Sequence, residues 1–366
     1  MSQRELHTRY QRQIMLKGFG IAAQQKLLAA RVLVVGAGGL GCPVLQYLCA
    51  AGVGTIGVID DDVVSLSNLH RQVLFGTDDI GKPKVEVAVE QLRRLNPEVT
   101  INIYTQRLTV DNTLELLGKY DLVVDGSDNF ATRYLVNDAC VLLDKPLVYG
   151  AVSTYEGQLA VFNWNKNSEQ ERAVNYRDVF PQPPSAQEVP NCNEAGVLGV
   201  LPGIIGTMMA TEVIKIVSEI GEVLAGKLLI YNSLNHNSYR LSIEQNSEAN
   251  DLIPKSTAAF KRMIYEETCI SNIEIDAAAF NEWVRNDNAL IIDVRDSDEM
   301  PIVSGFKHIN IPYGEILERG EELDSENIIL FCLSGKRSFS AAQKLKQLRK
   351  GVNVYSLKGG IESRGS

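Results

Sequence analysis

A short apolar run, Val32-Leu33-Val34-Val35, passes directly into Gly36-Ala37-Gly38-Gly39-Leu40-Gly41 and then into a helical pattern. A G-x-G-x-x-G at a strand-to-helix junction constrains the chain strongly. The glycines permit a tight turn, and backbone N–H groups and a helix N-terminus can then approach phosphate oxygens without Cβ atoms in the way. Asp60 ends the next strand pattern, the place from which an acidic side chain meets ribose hydroxyls. Alone, such a loop points to NAD or FAD. The residues downstream decide the ligand.

The surrounding pattern alternates. Strands are expected at 32–35, 55–59, 99–104 and 121–125, with helices from about 40, from about 82 and near 111–118. That alternation implies a mostly parallel, Rossmann-like α/β sheet with helices on both faces. Lys145 to Gly150 and Gly157 to Phe162 read as further strands, the second alternating enough to be antiparallel. Asn163 to Gln187, with Pro181-Gln182-Pro183-Pro184, reads as an irregular surface loop, and a long apolar helix is expected at about 203–220. The stretch 246–271 turns polar before a helix-like 258–267 and is taken as a linker. It separates an expected first domain, 1–245, from a smaller α/β domain, 272–366, with strands at 290–294, 328–331 and 352–355 and a helix at 338–348. At 366 residues the chain suits about two domains.

A net charge of −9 argues against nucleic acid as the main ligand. No signal-like N-terminus and no apolar run of about 18 residues is apparent, so a cytoplasmic protein without a membrane partner is expected. The cysteines, Cys42, Cys49, Cys140, Cys192, Cys269 and Cys332, form no C-x-x-C pair, which excludes a disulfide framework or a thiolate metal site. Cys42, Cys49 and Cys140 read as small core residues.

Beyond Asp60 the chain runs Ser67-Asn68-Leu69-His70-Arg71-Gln72, then Gly81-Lys82-Pro83-Lys84. Cations beside a phosphate loop suit a triphosphate better than a dinucleotide, so Arg71 and Lys84 favour ATP. Asp128 follows the strand 121–125 and so comes to the carboxyl edge of the sheet, where a carboxylate can hold Mg²⁺ between phosphate oxygens; it could equally cap the helix that begins at Phe130.

Arg9-Tyr10-Gln11-Arg12-Gln13, Gly36 to Gly41, Ser67 to Gln72, Lys84, Asp128-Asn129 and Cys192-Asn193-Glu194-Ala195-Gly196-Val197 together resemble the adenylyltransferases of the MoeB/ThiF (HesA) family, relatives of ubiquitin-activating enzymes, over about residues 5–245. The resemblance implies ATP-dependent adenylation of the C-terminal Gly-Gly carboxylate of a small ubiquitin-like sulfur carrier. It gives Asp60 to the ribose, Asn68, Arg71 and Lys84 to the phosphates, with Ser67, Leu69, His70 and Asn129 in the same binding motifs, and Asp128 to Mg²⁺. It also implies a homodimer in which Arg12 reaches the ATP of the second copy. Cys192 matches a cysteine implicated, in some members, in covalent attachment to the carrier; it is either such a nucleophile or an inert loop residue. Most of the family binds a structural zinc through two C-x-x-C pairs. Here Asn175 and Asp178 stand around Tyr176-Arg177, and Leu241 to Asp251 holds no cysteine, so no zinc is expected and the loop 163–187 is expected to be mobile.

Cys332-Leu333-Ser334-Gly335-Lys336-Arg337-Ser338 follows an apolar strand and opens a helix, so backbone N–H groups, the helix dipole and Arg337 are expected to converge on the sulfur and lower its pKa. Cysteine phosphatases use a loop one residue longer, and the tighter one here suits a persulfide. With Leu290 to Arg295 it resembles the rhodanese family over about residues 272–366, which implies a persulfide on Cys332, supplied by a donor such as a cysteine desulfurase or thiosulfate. One unit activates a carboxylate and the other supplies sulfur, to give a carrier thiocarboxylate in molybdopterin, thiamine, thiolation or cysteine pathways. Three rivals stay open: an adenylating enzyme with a non-catalytic rhodanese domain, an NAD-dependent oxidoreductase, and a non-enzymatic scaffold for the carrier.

Overall fold

The structure is a computed structural model of the chain and describes residues 3–164, 172–183, 196–265, 273–286, 288–320, 323, 325–349 and 352–364. It divides into two compact units, Met1–Tyr265 and Glu266–Ser366.

In the first unit, β1 (Arg31–Val35), β2 (Thr55–Ile59), β3 (Thr100–Tyr104), β4 (Leu122–Asp125), β5 (Leu147–Ser153), β6 (Glu156–Phe162), β7 (Lys227–Asn232) and β8 (Ser238–Ser242) form one sheet in the order β3-β2-β1-β4-β5-β6-β7-β8. The strands from β3 to β5 pair in parallel and those from β5 to β8 antiparallel. The sheet winds outward in both directions from β1 and β4. Their carboxyl ends therefore form the switch point at which open α/β sheets bind ligands. Side chains of β1 alternate between two cores. Val32 and Val34 join Leu45, Leu48, Ile205 and Met209 on one face, while Leu33 and Val35 join Leu135, Tyr149 and Phe162 on the other. That two-sided burial explains why the strand reads as a continuous apolar run.

The apolar helix spans Val200–Ser218. Its length and composition alone would let it cross a membrane, but Leu201, Ile205, Met209, Val213 and Ile216 are buried in the sheet's core and Glu212 pairs with Lys215. Cys42, Cys49 and Cys140 are buried as expected, and burial pushes the Cys42 thiol up to about 12 and that of Cys49 to about 11.

Two expectations are corrected. The supposed linker 246–271 is packed on the first unit as far as Tyr265. Its polar residues are caps: Asn246 accepts from the N–H groups of Glu248 and Ala249, and Ser256 from that of Ala259. Between them they present Phe260 to the core, and the Tyr265 hydroxyl donates to Asp138 at 2.8 Å. The loop expected to be mobile is anchored over its described part, 172–183. Tyr176, 2% exposed, packs among Tyr134, Tyr149 and Phe180 with ring centroids 4.9–5.2 Å apart. Residues 165–171 and 184–187 of that loop lie outside the described residues.

The second unit carries a parallel sheet in the order β11-β10-β12-β13-β9, from β9 (Glu274–Ile275), β10 (Leu290–Asp293), β11 (Ile309–Asn310), β12 (Asn327–Phe331) and β13 (Asn353–Leu357). Helix Lys336–Leu348 packs on β12 and β13 through Ala341, Ala342 and Leu345.

Candidate active sites

The glycine loop leaves β1 with Gly36 at φ +89°, a conformation side chains disfavour. The turn is so tight that a Cβ on Gly41 would lie 1.9 Å from the Gly36 carbonyl oxygen. Asp60, at the end of β2, accepts from the Ala37 N–H at 2.7 Å and from the Asp62 N–H at 2.8 Å. It therefore pins the loop as well as facing the cleft. Burial raises its carboxyl pKa, opposed by Lys84 and those two donors.

A cleft opens over this loop. Gly36, Gly38, Gly39, Asp60, Arg71, Lys84, Asp128 and Asn129 all line it, so the structure brings together residues spread over 94 positions from 36 to 129. Lys84 is almost wholly buried and donates to Asp62 at 2.7 Å. Arg71 donates to the Asn68 side chain at 2.8 Å and to the Ser67 carbonyl at 3.2 Å, and His70 Nδ1 lies 3.1 Å from that same carbonyl. Ser67, Asn68, Leu69 and His70 are not among the lining residues; this short turn holds Arg71 in place instead. Arg12 lies exposed on helix Gln3–Ile14.

The helix after Asp128 is capped by its neighbour and not by Asp128 itself. Asn129 caps helix Phe130–Leu142, accepting from the Thr132 N–H at 2.8 Å. Asp128 is exposed at the cleft with no hydrogen bond or ion pair among the described residues. A lone carboxylate beside a phosphate loop fits a hard divalent cation.

Some cleft residues escaped the sequence reading. Gln72 is 3% exposed with its Oε1 unpartnered, and Arg133 reaches the Ser127 carbonyl at 3.3 Å from the first turn of the helix that Asn129 caps. Their signal was adjacency: Gln72 follows Arg71, and Arg133 stands one helical turn beyond Asn129.

At the position of the missing cysteines stands a polar clamp. Asp178 has no exposed side-chain surface and takes two bonds of 2.6 Å from Arg172, one of 2.8 Å from the Asn175 N–H and one of 2.8 Å from the Asn246 N–H. It ties the segment before helix Tyr176–Val179 to the chain leaving β8. Burial would raise the carboxyl's pKa, but Arg172 and the N–H donors outweigh it and hold the group below its ordinary value. With a guanidinium on its only carboxylate and no thiolate, this donor set does not fit zinc. Cys192 lies outside the described residues.

In the second unit Cys332 sits at the end of β12, 2% exposed. Gly335 at φ +86° turns the chain into helix Lys336–Leu348, and the Ser338 N–H and hydroxyl lie 3.5 and 3.6 Å from the sulfur. The final turn supports the loop: Ile361 N–H donates to the Cys332 carbonyl at 2.8 Å, and a Cβ on Gly360 would fall 2.5 Å from that oxygen. Gly359-Gly360 is thus a packing device. Arg337, within electrostatic reach of Cys332, has acidic partners as well. Its guanidinium is held by Glu299 and lies 3.9 Å from Asp296, because the loop after β10 brings two carboxylates to it.

A model of the ThiF family matches residues 10–252 and one of the rhodanese-like domain matches residues 276–364. A sulfur carrier protein adenylyltransferase of Thermus thermophilus is 53% identical over 65% of this chain and 88% of its own length. MoeZ of Mycobacterium tuberculosis, a probable adenylyltransferase/sulfurtransferase, is 40% identical over 98% of this chain and 92% of its own. The adenylyltransferase and sulfurtransferase MOCS3 of Arabidopsis thaliana is 38% identical over 93% and 79%. MccB of E. coli, solved with ATP, shares the fold with a TM-score of 0.54 at 23% identity, over 62% of this chain and 68% of that one. The chain belongs to the ThiF family and joins to it a rhodanese-like domain.

Proposed function

We propose that this protein is an adenylyltransferase/sulfurtransferase that converts the C-terminal Gly-Gly carboxylate of a ubiquitin-like sulfur carrier into a thiocarboxylate. The observation that carries this is the pairing, in one chain, of a cleft with Arg71 and Lys84 beside the glycine loop and a loop-held Cys332.

In the first unit the carrier's carboxylate oxygen attacks the α-phosphorus of ATP. Pyrophosphate leaves and an acyl-adenylate forms. Negative charge grows on the phosphate oxygens during attack, and cations already aimed at them stabilise that state more than the ground state. Lys84 is fixed by Asp62, Arg71 by Asn68 and Ser67, so neither has to be ordered when charge develops. Asp60 takes the ribose hydroxyls through lone pairs that its two N–H donors leave free. Asp128 would hold Mg²⁺, which when bound would supply further positive charge to the phosphates. Arg12, exposed on its helix, serves the cleft of a second copy in a homodimer.

In the second unit Cys332 bears the sulfur as a persulfide. Its terminal sulfur attacks the acyl carbon and displaces AMP. A thiol then cleaves the resulting acyl disulfide, releasing the thiocarboxylate and leaving a disulfide on Cys332 that a second thiol reduces. Cys192 is a candidate for the first of these thiols.

The test is ATP–pyrophosphate exchange that depends on a carrier ending in Gly-Gly, followed by intact mass of the carrier after a sulfur donor is added. Exchange together with replacement of one oxygen by sulfur supports the assignment. Cofactor absorbance changes with NAD and no pyrophosphate would refute it.

A further inference from the structure

Helix Gly41–Ala51, which the glycine loop opens, leaves its last carbonyls without the usual helical donor. Side chains from outside the helix supply donors instead. The Asn96 amide donates to the Cys49 carbonyl and to the Tyr10 hydroxyl, each at 2.8 Å. Gln13 and Gln24 both donate to the Ala51 carbonyl, at 3.0 and 3.1 Å, and Gln13 donates to the Gln24 side-chain oxygen as well. Tyr10 and Gln24 are buried, so water does not compete for these bonds. Gly52, which closes the helix at φ +84°, leaves the space they need: a Cβ there would fall 2.5 Å from the Tyr10 ring. Tyr10 and Gln13 stand three residues apart, on one face of helix Gln3–Ile14, and both are seated on this helix end.

Arg12 stands next to Gln13 in the chain. It is exposed and makes no hydrogen bond or ion pair among the described residues. Met15 and Leu16, directly after the helix, are 69% and 58% exposed, apolar surface of the kind a second copy covers. An arginine that serves the cleft of a second copy is only as well placed as its helix is held on its own subunit. Resting on that reading of Arg12, we propose that Gln13, seated with Gln24 on the Ala51 carbonyl, is a positioning residue for the arginine given in trans. The seat is the far end of the helix that the glycine loop opens. Each copy's Arg12 is therefore referenced to the frame of its own phosphate loop and offered to the other copy's ATP. Without the Gln13 donor the helix keeps Tyr10 but can turn about it, and Arg12 loses its fixed direction. Misplacing a group that meets developing charge by about 1 Å can cost about 10²-fold in rate.

The test uses the full chain, with pairs of variants coexpressed under different tags so that mixed dimers can be purified. Gln13→Met keeps the length of the side chain and removes its donor. As a homodimer it lowers carrier-dependent ATP–pyrophosphate exchange by about 10–100-fold. In a mixed dimer with Asp128→Ala, the intact cleft of the Gln13→Met copy is served by the native helix of the other. Exchange then returns to about half the wild-type value per dimer, since one of two equivalent sites works. A merely structural defect would stay with the variant's own cleft and show no such recovery. Exchange by the Gln13→Met homodimer within about twofold of wild type, or a mixed dimer no more active than that homodimer, overturns the proposal. Arg12→Ala mixed with Asp128→Ala is the control: if it too fails to recover, the reading of Arg12 in trans falls and this inference with it, whereas recovery in the control alone overturns only the role of Gln13.

Discussion

Replacing Asp178 by alanine removes one side chain and strands several partners. The Asn175 and Asn246 N–H groups lose their acceptor, and Arg172, whose side chain is 27% exposed, loses a bidentate partner. Breaking a buried ion pair from one side costs about 3–5 kcal/mol, and each buried donor left unmade about 1–3 kcal/mol. These overlap, since one carboxylate serves all of them, and water reaches part of Arg172. A net loss of about 3–4 kcal/mol follows. For a unit of this size that is a fall in Tm of roughly 6–16 °C. Calorimetry of wild type and Asp178→Ala, each with and without a chelator, measures it. The account predicts the fall in the variant and no chelator effect in the wild type. The carboxyl's pKa is lowered in the folded unit, so its stabilisation is complete above its unfolded value and disappears as pH falls through the folded one. The difference between the two proteins therefore shrinks below about pH 4. A Tm drop of under about 3 °C, or one equivalent of zinc by elemental analysis together with a chelator-induced drop, refutes the clamp as the replacement for a metal.

Lys84→Ala lowers ATP–pyrophosphate exchange by about 10²–10³-fold, the effect of losing one donor aimed at developing charge. Asp62, the partner left behind, is 69% exposed and resolvates, so the melting temperature stays within a few degrees. Asn68→Ala leaves the Arg71 guanidinium with the Ser67 carbonyl alone and lowers kcat/KM for ATP by about tenfold, measured in the same exchange assay. Gly41→Ala puts a methyl 1.9 Å from the Gly36 oxygen, so the phosphate loop cannot close and exchange is abolished; exchange within tenfold of wild type contradicts the loop's geometry as described.

The β1 loop was legible because its spacing and flanks describe one local object: an apolar strand, four close glycines and a helix. That Arg71, Lys84 and Asp128 come to the cleft was legible, since the carboxyl edge of such a sheet is where the glycine loop and the following turns meet. Less legible was who holds whom. Nothing local to Asp62 says that it meets Lys84, and nothing at Glu299 says that it meets Arg337, since each pair is joined through tertiary placement. Polar composition misled at 246–265, where caps look like linker residues until Phe260 and Tyr265 are seen to dock. Asp178 misled in the same way: absent cysteines suggested a loose loop, while an ion pair with backbone donors closes it. Strands β7 and β8 escaped because an antiparallel edge that is exposed along β8 carries little apolar signal.

The central claim is that sulfur held on Cys332 ends on a carboxylate activated at the glycine-loop cleft. Its most direct test incubates the wild type and Cys332→Ala with ATP, a carrier ending in Gly-Gly, a thiol and an isotopically labelled persulfide donor. Pyrophosphate and the mass of the carrier are measured. Both proteins should release pyrophosphate, and only the wild type should leave labelled sulfur on the carrier. Labelled thiocarboxylate formed equally well by Cys332→Ala would contradict the account.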